Sequence, residues 1–484
     1  MTTTCLRSND TFSTPPLQPF CLEAFCRDLP AWAKHLQTRM GHAVQASDHT
    51  LGHLEELLLQ DTKPLQRTLL EEAAQKKAAA APPRCPCCGR PLTRLTHGHA
   101  RTFESRFGPI TVRRTRGHCK RCQKWRFPAD AALGLEDTAG YSPAVQEMAA
   151  LGVSKLPVAE AEVVIERLAG VKIPRATLDR EAKRQGEQAQ ARQAEMDARC
   201  ASPEGAAAVA REIQLELPLA PFTLVIMLDA WNLRERDDWG RTRALRKKGQ
   251  EPARWHWAYG ATVFRLSDRA ETAGGRRVIL SRGYVMTRQG LDALRTQLYG
   301  EAVRRGLLQT ARVLIIADGA VWIWNLADDR FAHAHPRLDL WHAIEHLWII
   351  ARELHGAGSA AAAAWVKPLV AQLEKGQAER VITQLDAVLK TLPAAAATVV
   401  AREVEYFKRH RERMDYGAAQ KAGEPVGSGA MESTCRQYQC RFKRTGQYWS
   451  TRGDEALLTL ETFWRNGRWN QLYPHVGDFD PSRN

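Results

Sequence analysis

Residues 222–230 read Phe-Thr-Leu-Val-Ile-Met-Leu-Asp-Ala, an unbroken apolar run that stops on an acidic residue, Asp229. A run of that length with β-branched members predicts a buried strand, and a carboxylate leaving its C-terminal end emerges where open α/β sheets bind ligands. The pattern returns at 311–320, Ala-Arg-Val-Leu-Ile-Ile-Ala-Asp-Gly-Ala, which brings Asp318 to the same kind of edge and lets the chain turn sharply at Gly319. One such aspartate serves equally well as a turn former or a helix cap. Two of them suit a divalent cation, which needs clustered carboxylate oxygens on a rigid scaffold.

The text around these runs fills in a sheet. A basic loop, Arg234 to Glu251, precedes strand-like runs at Trp255–Leu266 and Arg277–Thr287, which with the first run predict a β-meander. An amphipathic helix over Leu291–Leu308 returns the chain to the second Asp-ended strand, and a helix at Trp322–Phe331 and a short strand at Arg337–Leu340 follow. That order predicts a mixed α/β sheet. From His342 to about Arg413 the pattern is helical, with alanine-rich text at 358–366, and nothing in it looks chemical.

Upstream, a polar lead gives way to Leu51, Leu54, Leu57, Leu58 and Leu65 at helical spacing, so residues 1–83 read as a helical arm, with Lys76–Pro83 as its linker. Cys85-Pro-Cys87-Cys88-Gly89 and Cys119-Lys-Arg-Cys122 then enclose strand-like text around Gly108-Pro109. Thiolates at C-x-x-C spacing can take two corners of a tetrahedron, and two such knuckles joined by a hairpin close it, so 84–128 reads as a zinc ribbon on Cys85, Cys88, Cys119 and Cys122. Cys87 is the spare, although it could exchange with a neighbour; His97, His99 and His118 read as surface residues. Arg113, Arg114, Arg116, Lys120 and Arg121 crowd the second knuckle, either a solvated face or a phosphate-contacting one. Residues 141–200 are helical, with Val158–Leu168, Gly170 and Pro174–Gln185 outlining a helix-turn-helix that carries Arg175, Arg180 and Arg184. Two packed helices of no special function give the same outline.

The chain has 484 residues, too many for one core. Its 69 basic and 54 acidic residues, a formal +15, point to a polyanionic partner, nucleic acid before membrane. No run approaches the ~18 apolar residues of a membrane span, and the N-terminus lacks a signal-type apolar core. A cytoplasmic, nucleoid-associated protein is expected, whose 11 cysteines are reduced or metal-bound.

Asp318-Gly-Ala-Val-Trp-Ile-Trp-Asn, then Leu338-Asp-Leu-Trp-His342-Ala-Ile-Glu-His346-Leu, then Gly427-Ser-Gly-Ala-Met-Glu432-Ser resemble consecutive signatures of bacterial insertion-sequence transposases of the Kra group, over about residues 85–465. Leu228-Asp-Ala-Trp departs from the Asp-Gly expected on the first strand. The resemblance implies a DDE transposase with a multidomain α/β architecture. Its ribonuclease-H-like sheet (βββαβαβα) would occupy 215–344, an all-helical insertion 345–424, the last catalytic helix 425–468 and a tail 469–484. It assigns Asp229, Asp318 and Glu432 to Mg²⁺ or Mn²⁺, against the competing acids Asp339 and Glu345, and gives Asp339 and His342 a supporting role. Arg436, Arg441, Lys443 and Arg444 follow Glu432 on the same expected helix or its continuation, and read either as holding the substrate backbone or as a solvated basic face. The resemblance further implies double-stranded DNA as partner, from element ends and target, and a homodimer or larger assembly. A DNA-binding regulator without activity and a structure-selective nuclease remain the alternatives on the same fold.

Overall fold

A computed structural model describes residues 23–477 apart from 136–139, 215–216, 219, 237–239, 252 and 276. The polar lead and the final stretch of the expected tail lie outside these. The described residues fall into two compact units, one running to Met148 and including Ile165–Lys172, the other comprising Ala149–Val164 and the residues from Ile173 onward.

The first unit holds α1 (Glu23–Gln45), α2 (Leu51–Ala80), the three-stranded sheet β1 (Thr93–Ser105), β2 (Gly108–Cys119) and β3 (Lys124–Arg126), and the short α3 (Pro128–Ala132). The expected linker at Lys76–Pro83 is shorter than its alanine content suggested: α2 continues to Ala80, with Ala74 and Ala78 buried, and ends only ahead of Pro82. Alanine is the best helix former, so the run stays helical until proline forbids it. Because β3 pairs only with Gly117–Cys119, the Thr111–Arg113 edge of β2 lacks a strand neighbour. Side chains of α2 supply one: Glu71 accepts from the Thr111 amide, and Gln75 both accepts from and donates to the Arg113 backbone.

The unit boundary passes through α4 (Pro143–Lys155) and α5 (Val158–Ala169). After them α6 (Arg175–Ala198) runs well past the Gln185 expected for a recognition helix and buries Leu178, Ala182, Gln185 and Ala189. Gly186 lies so close to the Ala456 carbonyl that a Cβ there would sit 2.4 Å from its oxygen. The expected separate domain at 141–200 is therefore corrected: much of α6 is core of the second unit, because one face of it is apolar and small enough to pack tightly.

The remainder of that unit is α7 (Pro203–Glu212), β4 (Thr223–Glu235), α8 (Thr242–Lys247), β5 (Arg254–Arg265), β6 (Arg269–Glu271), β7 (Arg277–Ile279), β8 (Gly283–Thr287), α9 (Leu291–Arg304), β9 (Arg312–Ala317), α10 (Val321–Arg330) and β10 (His335–Leu338). Helices α11 (Leu340–His355), α12 (Ala360–Glu374), α13 (Ala378–Leu389), α14 (Ala394–His410), α15 (Tyr416–Lys421), α16 (Gly429–Phe442) and α17 (Thr451–Arg465) complete it. The main sheet is mixed, in the order β10-β9-β4-β5-β8, with β4, β5 and β8 antiparallel and β4, β9 and β10 parallel. The single strand expected over Arg277–Thr287 is two: β7 leaves to pair with β6 in a separate ribbon, and β8 alone joins the sheet. Gly283 permits the rejoining, since a Cβ there would meet the Glu301 carboxylate at 2.2 Å.

One face of the sheet shares a continuous core with α9, α10 and the helices that follow β10, from Leu224 and Ile226 through Leu347 to Phe407. Helices of the segment expected as an insertion contribute buried residues to that core. No described helix is long and apolar enough to cross a membrane.

Candidate functional site

The parallel ladders set the level of three acids. The β4–β9 pairing ends with Met227 beside Ile316, and the β9–β10 pairing with Ala317 beside Leu338. Carried forward by two residues and by one, these registers bring Asp229, Asp318 and Asp339 to one line across three neighbouring strands, which lie about 4.8 Å apart. The Asp229 carboxylate accepts from the Ala230 amide at 2.7 Å and from the Cys435 thiol. Burial pushes its pKa above the usual carboxylate range and the nearby Asp318 charge adds to this, while His342 opposes it. Asp318 accepts from the Ala320 amide at 2.8 Å.

Asp339 is fully buried and spent within the fold. One oxygen caps α11 through the amides of Trp341 and His342, and the other accepts from the Ser428 amide and hydroxyl at the start of α16. Burial alone would raise its pKa, but the bonds from His342 and Ser428 prevail and hold it at about 2. His342 Nδ1 stands 3.5 Å from Asp339. That contact, reinforced by the charges of Asp318 and Glu345 against the cost of burial, raises the imidazole pKa to about 9.

Helix α16 lies over β4 and β5 with Met431, Cys435, Tyr438 and Phe442 inward. Met431 fits because Gly260, the partner of Asp229 in the β4–β5 ladder, has no side chain: a Cβ there would lie 2.7 Å from the Met431 methyl. Glu432 flanks this stripe in the first turn, partly exposed and 4.0 Å from Arg436. Burial pushes the Cys435 thiol upward, and both Asp229 and Glu432 add to the shift, so the thiol feels the two carboxylates together. Glu345 is exposed. Tyr406 of α14 was not singled out by the sequence. Its ring stacks on His346 with centroids 3.6 Å apart and covers Gly319, and its buried hydroxyl has no hydrogen-bond partner among the described residues.

The cysteine cluster is a tighter arrangement. Among the described residues it is the only group of three or more Cys, His, Asp or Glu whose ligand atoms all lie within 4.8 Å of one another, and its members are Cys85, Cys88, Cys119 and Cys122. Cys85 and Cys122 are 3.8 Å apart and Cys88 and Cys119 3.5 Å. Four thiolates at the ~2.3 Å of a zinc–sulfur bond would stand about 3.8 Å from each other, so the set fits a tetrahedral metal such as zinc. The thiols also titrate against one another. Burial opposes ionisation of Cys85, yet the Cys87 and Cys88 amides bring it down to about 6, whereas hydrogen bonding with Cys88, helped by burial, pushes Cys122 up to about 12. Cys87 stays exposed against Arg126.

Two of the expected DNA-facing cations, Arg114 and Arg441, are not surface groups. Arg114 is buried, forked onto Asp130 at 2.6 and 2.8 Å and stacked over Phe127. Arg441 is buried and donates to the Val153 carbonyl at 2.7 Å; burial lowers its pKa to about 10. Arg184 pairs with the buried Glu181. Arg113, Lys120 and Arg121 are exposed, Arg116 stacks on Trp125, Arg175 pairs with Glu162 and Arg180 reaches Thr177. Arg436 is exposed, Lys443 reaches Asn232 and Arg444 reaches Glu160.

Sequence reading missed an aromatic and basic face where β4 and β5 extend past the carboxylates. Trp255 and Trp257 are 53% and 54% exposed, and Arg234 and Lys443 lie over Trp255. Their alternation at i and i+2 beside a basic loop was the available signal.

No protein-family model matches the chain, and no curated protein matches it.

Proposed function

We propose that the protein is a DNA transposase of the DDE type, resembling the Kra group, that cleaves strands at element ends and transfers the 3′-hydroxyl to target DNA. The observation that carries this reading is the common level of Asp229 and Asp318 on adjacent parallel strands, with Glu432 on the helix packed across them. The strand order β10-β9-β4-β5-β8 agrees with the ribonuclease-H-like fold the resemblance implies.

In this reading Asp229, Asp318 and Glu432 hold Mg²⁺ or Mn²⁺, which would activate the attacking oxygen and stabilise the leaving oxygen of an in-line phosphoryl displacement. The chain's own groups do the rest. Asp339 fixes α16, and hence Glu432, against the sheet edge; His342 attracts the strand's phosphate; Arg436 and the Trp255 face bind backbone and bases. The cysteine cluster holds a structural zinc ribbon, and the exposed Arg113, Lys120 and Arg121 contact phosphates. A nucleoid-associated protein acting as a homodimer or larger assembly on two ends follows.

The protein should nick a duplex carrying the element end, leaving a 3′-hydroxyl, only with Mg²⁺ or Mn²⁺, and Asp229→Asn and Asp318→Asn should abolish nicking while duplex binding persists. Metal-independent cleavage or a covalent protein–DNA adduct would sink the proposal. A DNA-binding regulator is the second reading, favoured by the three carboxylates standing further apart than the cysteines do. It predicts binding without nicking.

A further inference from the structure

Next to the carboxylate edge, on the same face of β4, lies a cavity of about 570 Å³. Met227, two residues before Asp229, forms part of its floor, and Trp341, two residues after Asp339, forms a wall. Arg269, Arg277 and Arg282 line it, and no acidic residue does among those described. Burial and the neighbouring charge of Arg277 depress the Arg269 pKa, as expected of two cations held together. Glu424 counters them only in part, being bound already to Arg312 and Arg337. Three cations facing one concave space without a carboxylate are an unbalanced charge, and an anion is what balances it.

The start of α16 adds donors. Gly429 and Ala430 line the cavity, and the amides at these first two helical positions have no intrahelical acceptor, whereas Met431 and Glu432 donate to the Ser428 carbonyl. Ser428 would ordinarily cap them, but its side chain is turned to Asp339 and caps nothing. The helix thus presents uncapped N–H groups at its positive end, where phosphate binds well. Trp341 is 61% exposed, and the Cδ1–Nε1 edge of its indole lies where Gly427 leaves room.

We propose that this cavity receives one unpaired nucleotide, with its base stacked on Trp341 and its phosphate on Arg277, Arg269, Arg282 and the Gly429 and Ala430 amides of α16. Arginines and amides alone would suit any phosphate. The indole beside them selects a phosphate that carries a base, and an unpaired base, since a paired one has no free face to offer. The assignment rests on the nucleic-acid reading above and not on cleavage.

The test compares a blunt duplex with the same duplex bearing a short single-stranded overhang, by fluorescence anisotropy over a series of salt concentrations. The full-length protein should prefer the overhang. Trp341→Ala should cut overhang affinity about tenfold or more while blunt-duplex affinity stays put, and Trp341→Phe should keep the preference. Arg277→Ala, a change at an exposed side chain, should lower the dependence of log K on log salt for the overhang by about 1. An overhang preference that survives Trp341→Ala, or a salt slope unmoved by Arg277→Ala, overturns the proposal. A mononucleotide that displaces nothing but binds directly, with the same loss in Trp341→Ala, assigns the pocket to free nucleotides instead of strand ends. If the protein binds neither DNA, the nucleic-acid reading fails, and absence of mononucleotide binding then removes the pocket as well.

Discussion

The cysteine cluster and the carboxylate edge, proposed above to hold different metals, differ in the folded chain: the first is closed and the second stands open. The four sulfurs come from two turns joined by one hairpin, so local folding alone brings them within 4.8 Å. The carboxylates come from two strands and a helix that follows several others, and at that edge burial first, then the Asp318 charge, raises the Asp229 pKa. A site's compactness without its metal therefore reports ligand chemistry as much as function.

The contrast can be broken most sharply at the cysteines. Cys119→Ser should release about one zinc per chain and unfold the β1–β3 sheet, since structural zinc contributes on the order of 10 kcal/mol in small domains. Full metal occupancy after loss of both Cys119 and Cys122 would refute the ligand set. At the carboxylate edge, Asp339→Asn should cost about 3 kcal/mol or more, by leaving the Ser428 and α11 donors poorly paired, and should appear as a lowered melting temperature. Glu432→Gln should leave melting nearly unchanged and reduce metal-dependent cleavage by orders of magnitude. The reverse pattern would make Asp339 the ligand and Glu432 the ornament.

Asp339 also predicts a pH dependence. Its folded pKa of about 2 lies below the ~3.9 of an unfolded aspartate, so its stabilisation is whole above pH ~4 and is lost as the pH falls toward 2. The loss is worth about 2–3 kcal/mol, and acid titrations of the protein and of Asp339→Asn should differ by that much. A smaller effect is expected at Tyr406, whose hydroxyl lacks a partner: Tyr406→Phe should leave stability within about 1 kcal/mol of the parent. If cleavage falls all the same, the hydroxyl meets substrate. Cys87→Ser, smallest of all, should leave zinc content unchanged.

Much of this was legible in the text. Apolar runs located β4 and β9, although Asp229 does not end its strand, since β4 continues to Glu235; knuckle spacing located the cysteine set, because both signals are local. The split of Arg277–Thr287 was hidden, since the reason is a close approach between Gly283 and Glu301 that no strand propensity encodes. The burial of Arg114 and Arg441 was hidden for the same kind of reason: charge can be read from sequence, but the Asp130 carboxylate and the Val153 carbonyl that take it inside cannot. The role of Asp339 was half visible. The resemblance gave it a supporting role beside His342, whereas its position as the cap of α11 and its grip on Ser428, 89 positions away, come from the fold.

That grip gives the molecule an order of assembly. Two of the three acids exist as soon as the sheet forms, but the third reaches them only when Ser428 has been made and has found a buried carboxylate waiting. A nascent chain, or one cut within the helices between, carries an incomplete set and no latch to complete it. If the protein cleaves DNA as proposed, its topology withholds that activity until nearly the whole of 223–442 has been synthesised and folded.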